Sequence, residues 1–172
     1  ELVLSPGMFS PLADYPGVAE VRSRLTTLRT VADAVALEAV ASTATSAVVL
    51  GGGYIGVEAA EALRSRGLEV HIVQRSTHVL AHLETELASY IAGELEEHGV
   101  VVHANTEPVA FAERDGKLVV SLSDDTEIVT DHAVIAMGGM PATQIVPDSI
   151  AKTDGGLIIV DENGRTSAPN VW

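Results

Sequence analysis

The chain has 172 residues, 47% of them hydrophobic and 20% charged, which is enough apolar material for one ordinary core. Ten basic against twenty-four acidic residues give a formal charge of −14, which excludes the basic face that a nucleic-acid or anionic-membrane surface needs. Cysteine is absent, so disulfides, thiolate metal sites and thiol nucleophiles are excluded within this chain.

No apolar run approaches the roughly 18 residues of a membrane helix. Residues 2–4 read as a strand. Ser5-Pro6-Gly7, Pro11 and Tyr15-Pro16-Gly17 then break regular structure. Residues 30–41 read as a helix with Thr30 as N-cap, and residues 42–46 as a polar linker. Residues 47–50, Ala-Val-Val-Leu, form a continuous apolar run of the kind that is buried on both faces of a parallel sheet. A helix over residues 57–66, stopped by Gly67, and a strand over residues 70–73 complete a βαβ unit. Residues 84–98 read as a helix ended by Gly99, and residues 100–103 as a buried strand. Residues 109–112, 118–122 and 127–129 read as an antiparallel meander, with Asp115-Gly116 as a hairpin signal. Residues 133–136 and 157–160 read as further strands. The expected fold is α/β: a Rossmann-like parallel sheet with helices on both faces and an antiparallel β-meander crossover.

Gly51-x-Gly53-x-x-Gly56 sits between the first buried strand and its helix. Gly51 permits the tight turn, Gly53 admits a pyrophosphate close to the backbone, and Gly56 lets helix and strand pack closely. The helix N-terminus, including Ile55, supplies free N–H groups and a positive dipole end to the anion. A glycine-rich turn that serves packing alone is the competing reading. At the end of the next strand an NAD-binding site usually places Asp or Glu to bond the ribose 2′-hydroxyl. Here Gln74, Arg75 and Ser76 stand instead. An uncharged residue followed by Arg leans towards NADPH, because Arg75 and Ser76 can bond a 2′-phosphate. The competing reading has Arg75 solvated and Gln74 bonding the ribose of NADH.

Other chemistries find little support. His78, His82 and Glu86 have i, i+4, i+8 spacing but fall in an expected loop, and His71, His98, His103 and His132 show no ligand spacing. The residues four positions after Tyr15, Tyr54 and Tyr90 are Ala19, Glu58 and Glu94, so no Tyr-x-x-x-Lys pair exists. Gly-x-Ser-x-Gly does not occur, and Glu94-x-Glu96-Glu97 reads as a solvated helix face.

These motifs together resemble the nucleotide-binding domain of FAD-dependent pyridine nucleotide–disulfide oxidoreductases, in particular the coenzyme A disulfide reductase, NADH oxidase and NADH peroxidase group. The resemblance rests on Ser5-Pro6-Gly7, Tyr15-Pro16-Gly17, the Thr27-Leu28-Arg29 run, the GGGYIGVE segment from Gly51 to Glu58, the Ala136-Met137-Gly138-Gly139-Met140-Pro141 loop, and the Thr166-Ser167-Ala168-Pro169 stretch up to Trp172. It implies that residues 24–163 form an NAD(P)H-binding domain, with residues 1–23 and 164–172 as pieces of an FAD domain. Tyr54 then matches an aromatic residue covering the nicotinamide pocket, Glu58 an acid near the nicotinamide end, and Gly138 and Gly139 the loop under the cofactor. Met140 and Ala142 depart from the family's usual Arg or Lys and Asn. The implied role is to present NAD(P)H to FAD for hydride transfer, with no acid, base, nucleophile or metal ligand in this chain. The implied parent carries FAD and dimerisation domains and is a homodimer. The chain reads as a fragment that is inactive alone, and the Ala-rich acidic composition suggests a cytoplasmic bacterial protein. A regulatory, nucleotide-sensing Rossmann module without redox activity is the alternative.

Overall fold

The computed structural model describes residues 1–10 and 15–172; the Pro11 part of the expected turn-rich stretch lies outside the described residues. Among the described residues ten strands and three α-helices organise it. In chain order they are β1 (Met8–Phe9), β2 (Leu25–Thr27), α1 (Val31–Ala41), β3 (Ser46–Leu50), α2 (Tyr54–Ser65), β4 (Glu69–Gln74), α3 (Thr85–Glu97), β5 (Val100–Ala104), β6 (Pro108–Arg114), β7 (Lys117–Leu122), β8 (Glu127–Thr130), β9 (His132–Ile135) and β10 (Met140–Pro141).

Five parallel strands form the central sheet in the order β2-β9-β3-β4-β5. Period-two alternation splits their side chains between two cores. Ala47, Val49, Val70, Ile72, Val100 and Val134 point to one face, where Leu37 of α1, Ala59, Ala60 and Leu63 of α2 and Leu95 of α3 cover them. Val48, Leu50, Val73, Ala133 and Ile135 point to the other, where Phe111, Leu118, Val120, Leu122 and Ile128 of the β6-β7-β8 meander cover them. The α/β class, the parallel sheet and the meander crossover are therefore as the sequence implied. The helices, however, share one face. A three-stranded antiparallel sheet with its own apolar face supplies the second cover, so no helix is needed there.

Local signals explain most boundaries. Thr30 Oγ1 accepts from Asp33 N–H at 3.1 Å and Asp33 Oδ2 accepts from Thr30 N–H at 3.0 Å, a capping box that starts α1. Asp115 and Gly116 both have positive φ, the requirement of the tightest hairpin turn, and join β6 to β7. Two expected strands do not form. Residues 2–4 make only a parallel bridge, Leu2 with Val171, and residues 157–160 only the bridge Ile158 with Lys152. Apolar residues alone do not make a strand; a ladder partner must run alongside.

Compactness divides the chain into one unit of Glu1–Pro11 with Gly139–Trp172 and another of Leu12–Gly138. These limits differ from the family-based ones at 23/24 and 163/164. In the second unit, Val21 is fully buried and Tyr15 packs on Phe111 with ring centroids 5.8 Å apart, so residues 15–24 lie on the meander. No helix among the described residues is long and apolar enough to cross a membrane.

Candidate nucleotide-binding site

Strand order creates the site. From β3 the chain winds through α2 and β4 to β5 on one side, while β9 and β2 lie on the other. The carboxyl ends of β3 and β9 therefore flank a topological switch point, where open α/β sheets bind ligands.

The three glycines do separable work there. Gly51 has φ 108°, and a Cβ on it would lie 2.4 Å from the Ala136 carbonyl oxygen. The glycine turn and the backbone after β9 thus lie against each other, tied by Ala136 N–H donating to Leu50 O at 2.7 Å. A Cβ on Gly56 would come 1.8 Å from the Gly51 carbonyl oxygen, so α2 packs against the turn that precedes it. Gly53 has nothing within 4 Å of its Cβ position and sits at the N-cap of α2 with no side-chain cap. Its open surface and the uncapped first turn through Tyr54 and Ile55 leave room and donors for a pyrophosphate. The helix begins at Tyr54, three residues earlier than the sequence reading, because the last half of the glycine motif is already helical.

The end of β4 is wired to this turn. Gln74 Oε1 accepts from Gly52 N–H at 2.8 Å. The donor is a backbone N–H, so the amide oxygen must face it, leaving the Gln74 NH2 to face outward. Arg75 is exposed and makes no ion pair with the described residues, and Ser76 is half-buried. The run carries no carboxylate: it offers the Gln74 amide, the Arg75 guanidinium and the Ser76 hydroxyl. Leu80 N–H donates to Gly52 O at 2.7 Å, folding the segment after β4 back over the glycine turn.

Tyr54, 61% exposed, stands on the first residue of α2, and its ring lies 4.6 Å from that of His82. Glu58 is exposed one turn further along. Gly138, with φ 95° and open space around it, ends the stretch that follows β9; Gly139 belongs to the other compact unit. Gly51, Gly53, Tyr54, Ile55, Gly56, Glu58, Gln74, Arg75, Ser76 and Gly138 are thus all carried at or just beyond the carboxyl ends of β3, β4 and β9. Sequence spacing singles out Gly52 only within the glycine run and His82 only beside His78 and Glu86, and it does not mark Leu80 at all. Their roles depend on contacts between segments, and only the unusual φ of 50° at Leu80 marks them locally. A separate groove of 620 Å³ between α2 and α3, lined by Val57, Glu61, Arg64, Ile91 and Leu95 among others, holds none of the candidate residues. Among the described residues no group of three or more His, Asp or Glu side chains is arranged to hold a metal.

The sheet order, the switch point and the glycine turn define an α/β protein of the Rossmann-like kind. More narrowly, the chain matches the pyridine nucleotide-disulphide oxidoreductase family over residues 1–172 and belongs to it. It is 37% identical over 152 residues to the ferredoxin reductase subunit of 5,5'-dehydrodivanillate O-demethylase from Sphingobium sp. (strain NBRC 103272 / SYK-6), covering 86% of this chain and 36% of that one. Among solved structures it is similar to a water-forming NADH oxidase from Lactobacillus brevis bound to NADH, with a TM-score of 0.92 at 25% identity, covering 100% of this chain and 38% of the other. An engineered NADPH oxidase, a mutant of that enzyme bound to NADPH, gives 0.91 at 26% identity with the same coverage. The chain spans between 18% and 38% of the length of the curated relatives it matches.

Proposed function

We propose that this chain binds NAD(P)H, with NADPH preferred, and presents the nicotinamide to a flavin held by the rest of a larger oxidoreductase. The carrying observation is the Gln74–Gly52 hydrogen bond. With its amide oxygen engaged by Gly52 N–H, Gln74 presents an uncharged amide where an NADH site usually places a carboxylate for the ribose hydroxyls. Donors from Gln74, Arg75 and Ser76 suit the oxygens of a 2′-phosphate.

The engineered NADPH oxidase supports the same reading. Its substitutions include three adjacent ones, Asp-Ala-Met to Ala-Arg-Ser, eighteen positions after a Gly-to-Ala change. In this chain an uncharged residue, Arg75 and Ser76 stand eighteen positions after Gly56. Counted by the same offsets, Gly56 remains glycine here and Ala81 stands where that enzyme's last substitution, Pro to Arg, falls, so part of the engineered pattern is shared.

The bound nucleotide supplies the hydride; the residues of this chain bind and orient it. The first turn of α2 holds the pyrophosphate, Arg75 and Ser76 the adenosine end, and Tyr54 and Glu58 the nicotinamide end. No side chain here is required as acid, base or nucleophile, so the chain alone binds without turnover. FAD belongs to the parent. In the unit Glu1–Pro11 with Gly139–Trp172, only Val146 and Ile150 among the described residues are buried large hydrophobics, whereas Leu2, Val3, Phe9, Ile145, Leu157 and Val160 are exposed. Such a unit is too poor in core to stand alone and fits a role as the edge of a flavin domain.

Arg75→Ala tests the reading. Affinity for NADPH is expected to fall about 10- to 100-fold, the worth of a charge-assisted hydrogen bond to phosphate, while NADH affinity changes less than threefold. Equal effects on both nucleotides in calorimetric titrations would remove Arg75 from the phosphate site.

A further inference from the structure

Two imidazoles meet on the face of the central sheet opposite the helices. The parallel register sets His71 beside Val101 and Val73 beside His103, so the two histidines are diagonal neighbours on one face of β4 and β5. Thirty-two residues separate them in the chain, which is why spacing did not reveal them. His71 Nδ1 stands 2.9 Å from His103 Nε2. The ring planes are 24° apart with centroids 5.2 Å apart. On its far side, His71 Nε2 is 3.4 Å from Glu69 Oε1, which comes from two residues earlier on the same face of β4. Asp124, between β7 and β8, places a negative charge near His103. Both rings are partly buried, so their positions are held by the sheet.

We propose that His71 and His103 form a two-nitrogen site for a divalent first-row transition ion, with Cu(II) bound more tightly than Ni(II) or Zn(II). The two nitrogens stand 2.9 Å apart in a direct hydrogen bond, and two nitrogens each ~2.05 Å from an ion at right angles lie about the same distance apart, so exchange of the proton for an ion needs ring rotation but little movement of the backbone. Cis nitrogens at a right angle suit the tetragonal ions, and among these Cu(II) stands highest in affinity. The ion takes the place of the proton between the rings. Each ring turns to aim its lone pair at it, His71 through Nδ1 and His103 through Nε2, and the His103 proton moves to Nδ1. Glu69 accepts the Nε2–H of His71, which fixes that tautomer and makes the ring a better ligand. Water completes the shell.

The test uses the 172-residue chain without a polyhistidine tag, titrated calorimetrically with Cu(II), Ni(II) and Zn(II) salts at pH 7.5. The Cu(II) complex is then examined by electron paramagnetic resonance for nitrogen coupling. Expected are one Cu(II) per chain, coupling to two nitrogens, and at least tenfold weaker binding in both His71→Ala and His103→Ala. Glu69→Gln is expected to weaken binding about tenfold, and His98→Ala to leave it unchanged. Undiminished binding in the His71 and His103 variants, or nitrogen coupling that survives both, overturns the proposal. Circular dichroism checks the fold of each variant, and His103→Gln, which keeps a hydrogen-bonding side chain, replaces the alanine variant if that one unfolds.

Discussion

Gln74→Glu changes one atom of the proposed nucleotide site and reverses its character. In the structure the amide oxygen is held by Gly52 N–H at 2.8 Å, and in the proposed function the NH2 faces the adenosine end. A glutamate of nearly the same shape keeps the Gly52 bond with one oxygen and replaces the NH2 with a charged acceptor. Against a 2′-phosphate roughly 5 Å away, one added like charge costs ~1.7–3.3 kcal/mol at an effective dielectric of ~20–40. For NADH, the new acceptor gains a charge-assisted hydrogen bond from a ribose hydroxyl, ~1.5–3 kcal/mol. Because the site is open to solvent, screening lowers the sum, and a net swing of about 3 kcal/mol is expected, roughly a hundredfold in the NADPH-to-NADH affinity ratio. Calorimetric titration with both nucleotides at low and moderate salt measures it, and the NADPH penalty should shrink as salt rises. A ratio unchanged within threefold, or moved towards NADPH, refutes the argument that the outward face of Gln74 sets the preference.

Gly51→Ala forces a side chain into φ 108° and within 2.4 Å of the Ala136 carbonyl, so a loss of ~2–3 kcal/mol in denaturant stability and more than tenfold in nucleotide affinity is expected. His132 is held neutral because burial, assisted by the charge of Arg24, lowers its pKa from 6.5 to about 4. The unfolded chain therefore binds this proton first as pH falls, and stability contributed by neutral His132 is full above pH 6.5 and is lost progressively down to about pH 4. The loss is roughly 3 kcal/mol over that window, and a His132→Phe variant should flatten the profile in urea melts between pH 4 and 7.5. Asp131 accepts from Thr45 N–H and Oγ1, Ser46 N–H and Oγ, and Lys117 Nζ, pinning β3, β7 and β9 at the end of the sheet remote from the nucleotide. Asp131→Asn should cost ~2–3 kcal/mol in thermal or chemical unfolding while leaving nucleotide affinity within twofold.

The readable parts of the fold were those with strong local chemistry. Continuous apolar runs marked β3, β4, β5 and β9, Thr30 marked the start of α1, and Asp115-Gly116 marked the hairpin within a residue or two of the observed ends. β2 escaped because three residues beside β9 carry no period, and β1 and β10 because each is only two residues long. Which face each element covers is a property of strand order and register. The sequence therefore could not place all helices on one side and the meander on the other. At the site, the glycine spacing and the Gln74-Arg75-Ser76 run were visible in one dimension. The bond from Gly52 to Gln74, which decides what Gln74 offers a nucleotide, and the packing of Tyr54 on His82 arise only when distant segments meet.

Direct calorimetric titration of the 172-residue chain with NADPH and with NADH bears on the whole account at once. The account predicts saturable binding of one NADPH per chain, at least tenfold tighter than NADH, with the difference falling as salt is raised. Absence of binding by either nucleotide would contradict the site itself, and NADH bound as tightly as NADPH would contradict the reading that Gln74, Arg75 and Ser76 favour a 2′-phosphate.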